Sequence, residues 1–173
     1  EYKEDASQLF RGAKNTKVEI QYIRQGKSQT ATIILDEVEI KAVPFYALLK
    51  DNIGYIVLSK FTEKASSETK SALLDLKKQG ATKVILDLRG NPGGLLHEAV
   101  NICNLFVAKD ELIVTTKSKN PKHNHVYKTK NEPIDLEIPI AVIVDGKSAS
   151  ASEIVAGAIQ DLDRGVILGT RSF

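Results

Sequence analysis

Lys83-Val-Ile-Leu-Asp-Leu-Arg-Gly-Asn-Pro-Gly-Gly-Leu95 is the stretch on which the fold turns. Its first half, Lys83–Leu88, is a short continuous apolar run, as expected for a strand buried on both faces. Leu96, Val100, Cys103 and Phe106 or Val107 then recur at helical spacing over Leu95–Val107. The chain therefore passes from strand to helix through Asp87–Leu95. Two adjacent glycines after Pro92 let backbone amides face outward with no side chain in the way, and the following helix orients them further. Such a loop suits a developing oxyanion, a phosphate or a carboxylate; a tight turn that merely needs glycine reads equally well.

Working outward, the same sequence of events recurs. Ile138–Val144 is a second apolar strand, Asp145-Gly-Lys-Ser-Ala-Ser-Ala-Ser-Glu-Ile154 a second turn, Ser152–Leu162 a helix and Gly165–Gly169 a third strand. Upstream, Ser66–Lys78 carries Ala72, Leu73 and Leu76 on one face and stops at Gly80. Strands alternating with helices predict an α/β domain with crossover connections and covered sheet faces. In such sheets reactive groups collect at the carboxyl ends of strands, where both turns lie. In the second turn Ser150 and Glu153 fit a capping box. The small residues around Ser150 also leave room for a substrate. The pattern by itself does not separate Ser148, Ser150 and Ser152.

The opening segment is of another kind. Asp5–Gly12 reads as a short helix, and Val18–Arg24, the turn Gln25-Gly-Lys27 and Thr30–Leu35 as a two-stranded ribbon. One helix and a hairpin cannot close a core, so this piece reads as part of a small β-rich domain. Val38–Val43 alternates as a connection, and Tyr46–Leu49 and Tyr55–Ser59 flank the turn Asp51-Asn-Ile-Gly54. Leu112–Ser118 and His125–Thr129 read as a polar hairpin around Pro121.

Several function classes are set aside by composition and spacing. The net charge of +2 over 173 residues gives no charge-based case for nucleic acid or a membrane surface. The apolar fraction of 42% supports a packed core. No apolar run approaches the roughly 20 residues that span a bilayer. The chain lacks Met and opens on Glu1, so it reads as part of a longer product; the missing signal pattern then says nothing of compartment. Gly146-Lys147-Ser148 resembles a phosphate loop, but Ala141 stands where its first glycine belongs. There is no G-x-S-x-G elbow. His97, His123 and His125 come without a carboxylate or cysteine ligand set, so no metal is expected. Cys103, the single cysteine, reads as a buried structural thiol.

Together, Asp87-Leu-Arg-Gly-Asn-Pro-Gly-Gly-Leu95 and Ser148-Ala-Ser-Ala-Ser-Glu-Ile-Val-Ala-Gly157 resemble the C-terminal processing (tail-specific) peptidases, serine enzymes of the Ser–Lys dyad type. Gly54-Tyr55-Ile56, Phe61, Gln160-Asp161, Arg164, Gly169-Thr170 and Phe173 continue the likeness in order. The resemblance implies a crotonase/Clp-protease-like ββα core over residues 37–173. Residues 1–36 would be the C-terminal part of a PDZ domain. It implies Ser150 as nucleophile, the backbone N–H groups of Gly94 and Ala151 as oxyanion donors, and Asp87, Arg89, Asn91 and Gly93 as the supporting loop. The implied general base is a lysine two positions past Phe173, assisted by a glutamine further on, so the 173-residue chain alone is expected to be inactive. No cofactor is implied. Substrates would be proteins or peptides with apolar C-terminal tails, captured by strand addition to the PDZ sheet. The setting would be the cell envelope or periplasm; oligomerisation stays open.

Two other readings share the core. A non-catalytic binding or scaffold module would keep the fold without the lysine. An acyl-CoA enzyme would use the glycine loop for a thioester oxyanion, leaving the serine-rich helix start idle.

Overall fold

The computed structural model describes residue 8 and residues 10–37 and 40–173. The chain divides into two compact units, residues 1–40 and 41–173. In the first, β1 (Lys17–Arg24) and β2 (Lys27–Ile34) form an antiparallel hairpin. Gln25 and Gly26 close it with φ of 52° and 75°. Two left-handed residues in a row match the twist of the flanking strands. The ribbon expected from the alternation is therefore present, with β2 starting three residues earlier. The helix expected over Asp5–Gly12 lies largely outside the described residues, as do Val38 and Glu39 of the connection.

The second unit is a five-stranded sheet under three helices. Its order is β3 (Phe45–Leu48), β4 (Ile53–Val57), β5 (Lys83–Asp87), β8 (Ile140–Val144) and β9 (Val166–Gly169). Only the β3–β4 pair is antiparallel. The helices are α1 (Ala65–Lys78), α2 (Leu96–Cys103) and α3 (Ala151–Asp161). The antiparallel pair β6 (Leu112–Thr116) and β7 (His125–Lys128) stands apart as the expected hairpin.

The strand order explains which face is filled. From β4 to β9 the chain steps across the sheet in one direction only. Right-handed crossovers taken in one direction all land on the same face. Gly54, Ile56, Val84, Leu86, Ile140, Val142 and Val144 point to that face and are buried. They pack in one core with Leu73 and Leu76 of α1, Ile102 and Cys103 of α2, and Val155 and Ile159 of α3. The opposite face departs from the expectation of cover on both sides. Tyr55, Ile85, Ala141 and Ile143 are only half-buried, and Val166 and Leu168 are exposed. A doubly wound sheet needs a point at which the strand order reverses, and the order here, which runs one way across the sheet, contains none.

A second departure is the length of α2. It ends at Cys103 and not at Val107. Asn104 is buried and turns its amide to the loop at 130–131, donating to Asn131 O at 2.6 Å and accepting from the Lys130 and Asn131 N–H groups. Those bonds draw the chain out of the helical path.

Candidate active site

The parallel strands β4, β5, β8 and β9 end along one edge, so the segments that follow them meet there. Asp87 closes β5 and is 4% exposed. Its carboxylate accepts from the Arg89 N–H at 2.9 Å, from Arg89 Nε at 3.0 Å, from Arg89 Nη2 at 2.6 Å and from the Tyr55 hydroxyl. Burial alone would raise its pKa, but the Arg89 and Tyr55 hydrogen bonds outweigh burial and hold the carboxyl below the usual aspartate value. The same carboxylate pushes the Tyr55 hydroxyl up. The base of the glycine loop is thus fixed by a charge-assisted fork.

Asn91 fixes its middle. Fully buried, it donates Nδ2 to Leu58 O after β4 at 2.8 Å and accepts the Gly93 N–H on Oδ1 at 2.8 Å. Its carbonyl oxygen accepts the Ala149 N–H at 3.1 Å and the Ser152 hydroxyl at 3.0 Å. One asparagine therefore ties three strand ends together. The far end of the loop pairs with Phe61, whose N–H donates to Gly93 O at 3.1 Å and whose oxygen accepts the Leu95 N–H at 2.9 Å.

The serine turn lies directly against this loop. Gly93 has φ +97°, and a Cβ built there would stand 2.6 Å from Ala149 O, 2.8 Å from Ser150 Cβ and 2.9 Å from Ala151 N. Gly94 has φ +146°, and its Cβ would lie 2.3 Å from Phe61 O. Both glycines are required by close approach as well as by dihedral angle.

The three serines, indistinguishable in the pattern, have different fates. Ser148 is buried; its Oγ accepts the Asp145 N–H at 2.9 Å and donates to Leu88 O at 2.8 Å. Ser152 is buried and donates to Asn91 O. Both hydroxyls fasten the serine turn to the glycine loop. Ser150 is exposed. It is the N-cap of α3 with φ 55° and ψ −113°, and its N–H donates to Glu153 Oε2 at 2.9 Å. Such a backbone costs about 1–3 kcal/mol for a residue with a side chain and persists only where its surroundings enforce it. A serine on a sharp strand-to-helix bend is also how hydrolases without this sequence motif's relatives present a hydroxyl.

Tracing every N–H of the two turns singles out the donors left over. In the glycine loop, Leu88 donates to Ile143 O, Arg89 to Asp87, Gly90 to Asp145 Oδ1, Asn91 to Leu88 O, Gly93 to Asn91 and Leu95 to Phe61 O. In the serine turn, Asp145, Lys147, Ser148, Ala149, Ser150 and Ser152 all have acceptors. Pro92 has no N–H. Only Gly94, Ala151 and Gly146 have no acceptor among the described residues, and Gly146 lies at the start of the serine turn, four residues before Ser150. An unpaired N–H is rare where it is buried, as at Ala151, whereas Gly94 is exposed. Two of these N–H groups, those of Gly94 and Ala151, lie on loops in close contact beside the exposed Ser150. All seven residues singled out from the sequence, Asp87, Arg89, Asn91, Gly93, Gly94, Ser150 and Ala151, therefore fall in one cluster.

Other groups at this edge were not singled out as site residues. Asp145 accepts from Gly90 and Lys147, and these N–H groups hold its carboxyl below the usual range. An Asp closing a strand three residues before a Ser was the available signal, as in an Asx turn. Glu153, noted only as a cap, also accepts from Ser172 Oγ at 2.8 Å. The segment after β9 follows the serine turn: the Phe173 N–H donates to Ser148 O at 3.0 Å. Elsewhere, Cys103 is fully buried and burial pushes its thiol up to about 12, while His123 and His125 are exposed on the hairpin.

Residues 52–173 match the model of peptidase family S41. A probable CtpA-like serine protease of Staphylococcus saprophyticus is 34% identical over 165 residues, covering 94% of this chain and 33% of that protein. A carboxyl-terminal-processing protease of Synechocystis is 35% identical over 175 residues, covering 98% of this chain and 40% of that protein. The chain thus spans a little over a third of the curated relatives it matches. Among solved structures, the photosystem II D1 C-terminal processing protease superposes with a TM-score of 0.66 at 29% identity, covering 98% of this chain and 47% of that one. A Bacteroides fragilis protein titled a putative S41 protease shares the fold at 17% identity, with a TM-score of 0.67 over 90% of this chain and 47% of that one.

Proposed function

The chain belongs to peptidase family S41, and we propose that it is the core of a serine endopeptidase cleaving near the C-terminal tails of proteins. One observation carries this reading. Ser150 alone of its serine cluster is exposed, and the Gly94 and Ala151 N–H groups beside it have no acceptor among the described residues.

In this reading Ser150 Oγ attacks the scissile carbonyl carbon, and its proton passes to a neutral lysine. The carbonyl oxygen becomes an oxyanion held by the two amides, each contributing roughly 3–4 kcal/mol to the transition state. The tetrahedral intermediate collapses as the lysine returns the proton to the leaving amine. Water then hydrolyses the acyl-serine by the same relay. We place the lysine two positions beyond Phe173. The hydrogen bonds from Phe173 N–H to Ser148 O and from Ser172 Oγ to Glu153 support this, because they lead the chain along the serine turn. Such a lysine must be neutral to act, which burial beside the turn would favour.

We further propose that residues 1–36 belong to a PDZ domain that captures apolar C-terminal tails by strand addition, and that the protein acts outside the cytoplasmic membrane. Both rest on the family resemblance. None of the described helices is long and apolar enough to cross a membrane.

The test is fluorophosphonate labelling of the full-length parent protein, with the modified residue mapped by mass spectrometry. Label is expected on Ser150 and absent from Ser150→Ala. Equal labelling of the two proteins, or none in the parent, refutes the assignment.

A further inference from the structure

We propose that Asp145 is a positioning residue of the oxyanion hole, holding the glycine loop at the distance from the serine turn at which the Gly94 and Ala151 amides can act on one oxygen. The inference rests on the peptidase reading above. Asp145 directly follows β8, five residues before Ser150, and it bonds to both turns at once. Its Oδ1 accepts the Gly90 N–H across the gap at 2.9 Å and the Lys147 N–H within its own turn at 2.9 Å. Its own N–H donates to Ser148 Oγ, whose hydroxyl in turn donates to Leu88 O at 2.8 Å.

Two rows of bonds therefore join the turns. The row nearer the sheet runs from Asp145 and Ser148 to Gly90 and Leu88. The other runs from Ala149 N–H and Ser152 Oγ to the Asn91 carbonyl. Gly90, at φ +71°, and Gly93, at φ +97°, flank Asn91 and let the loop pivot there; the Phe61 pairing limits this beyond Gly93 but not at Gly90. Asp145 is the side chain that stops this pivot by gripping Gly90 directly. Its reach is an acceptor's, not a charge's: both N–H groups go to the same oxygen, Oδ1.

The experiment compares Asp145→Ala and Asp145→Asn in the full-length protein, with Asn104→Ala as a buried hydrogen-bonding control away from the site. Asp145→Ala is expected to lower kcat about 10- to 100-fold with KM little changed, the usual penalty for misplacing catalytic groups by about 1 Å. Fluorophosphonate labelling of Ser150 should slow in parallel. Asp145→Asn keeps an oxygen at the Oδ1 position and should retain kcat within about 3-fold, a rescue expected when geometry alone is at stake. Asn104→Ala should lower the thermal midpoint while leaving kcat unchanged below it. Unchanged kcat in Asp145→Ala overturns the inference. So does an Asp145→Asn protein as slow as Asp145→Ala, which would make the charge the active element, or an equal kcat loss in Asn104→Ala, which would make lost stability the cause. A parent protein that neither takes the label nor hydrolyses peptides overturns the peptidase reading, and this inference with it.

Discussion

Replacing Gly93 by alanine tests the joint between the two turns with a single methyl group. The new Cβ would stand 2.6 Å from Ala149 O, 2.8 Å from Ser150 Cβ and 2.9 Å from Ala151 N. None of these is the end of a flexible side chain, so the contact cannot be relieved by a rotamer change. Carbon atoms rest at about 3.5–4.0 Å, so the serine turn must retreat by about 0.7–1.2 Å. The positive φ of 97° adds a backbone penalty of about 1–2 kcal/mol for an L residue. Overpacking contributes about 1–3 kcal/mol more. The variant should therefore be destabilised by about 2–5 kcal/mol, an easily measured fall in the thermal unfolding midpoint followed by circular dichroism. The same retreat parts Ser150 and Ala151 from Gly94. Loss of a working oxyanion donor costs about 10²–10³ in kcat, so hydrolysis by the full-length protein and labelling of Ser150 should both fall by that order well below the unfolding midpoint. A Gly93→Ala protein that labels at the parent rate and melts at the parent temperature refutes the packing of the two turns described above.

Three further outcomes follow from the same geometry. Ser150→Gly should abolish labelling yet raise stability by about 1 kcal/mol in thermal unfolding, because glycine relieves the strained φ and costs little at an N-cap; Ser148→Ala should instead lose about 1–3 kcal/mol through the unpaired Asp145 N–H and the lost bond to Leu88 O, which keeps only Asn91 as a donor, and the opposite ranking would contradict the division of labour among the serines. Asp87, Asp145 and Asp135, which pairs with Lys77 of α1, have carboxyls held below their unfolded values. Their stabilisation is therefore complete above the unfolded value near 4 and is lost as pH falls through the lower folded values; urea midpoints should drop below about pH 4 and drop less steeply in Asp87→Asn, and a flat profile down to pH 2 rules this out. Cys103, with its thiol pushed up to about 12 inside the core, should ignore a thiol reagent at pH 8 until denaturant is added; rapid reaction of the folded protein would show that α2 does not pack as described.

How much of this was legible in the chain depends on what kind of interaction fixed each part. The strands at 83–87 and 140–144, the helices at 65–78 and 151–161 and the glycine–serine pair of turns follow from local pattern, and the structure returns them within a residue or two. The covered face of the sheet was half right. An apolar run such as Lys83–Leu88 shows that a strand prefers burial, but not on which side its crossovers land; strand order decides that, and order is not local. The end of α2 depended on Asn104 finding the loop at 130–131, 26 and 27 residues away. The serines are the sharpest case. Ser148, Ser150 and Ser152 have almost identical neighbours, and what distinguishes them is whether Leu88 O or Asn91 O, about 60 residues distant, is there to receive the hydroxyl.

That last difference bears on why the cluster takes the form it does. Two hydroxyls satisfied by the glycine loop make the loop a rigid partner, and rigidity is what the strained backbone of Ser150 requires. A lone serine on this bend would relax into an ordinary cap, turning its hydroxyl toward the helix and its φ back to negative values. Because Ser148 and Ser152 anchor the chain on both sides, the residue between them is held out. The flanking amides of Ala151 and Gly94 then have no acceptor among the described residues. The turn is thus less stable than its sequence permits, and it keeps one hydroxyl exposed beside two free donors. Ser148→Ala and Ser152→Ala combined should therefore let Ser150 relax and lose labelling, although neither residue touches the substrate. Retained labelling in a folded double variant would show that the strain is set by α3 alone.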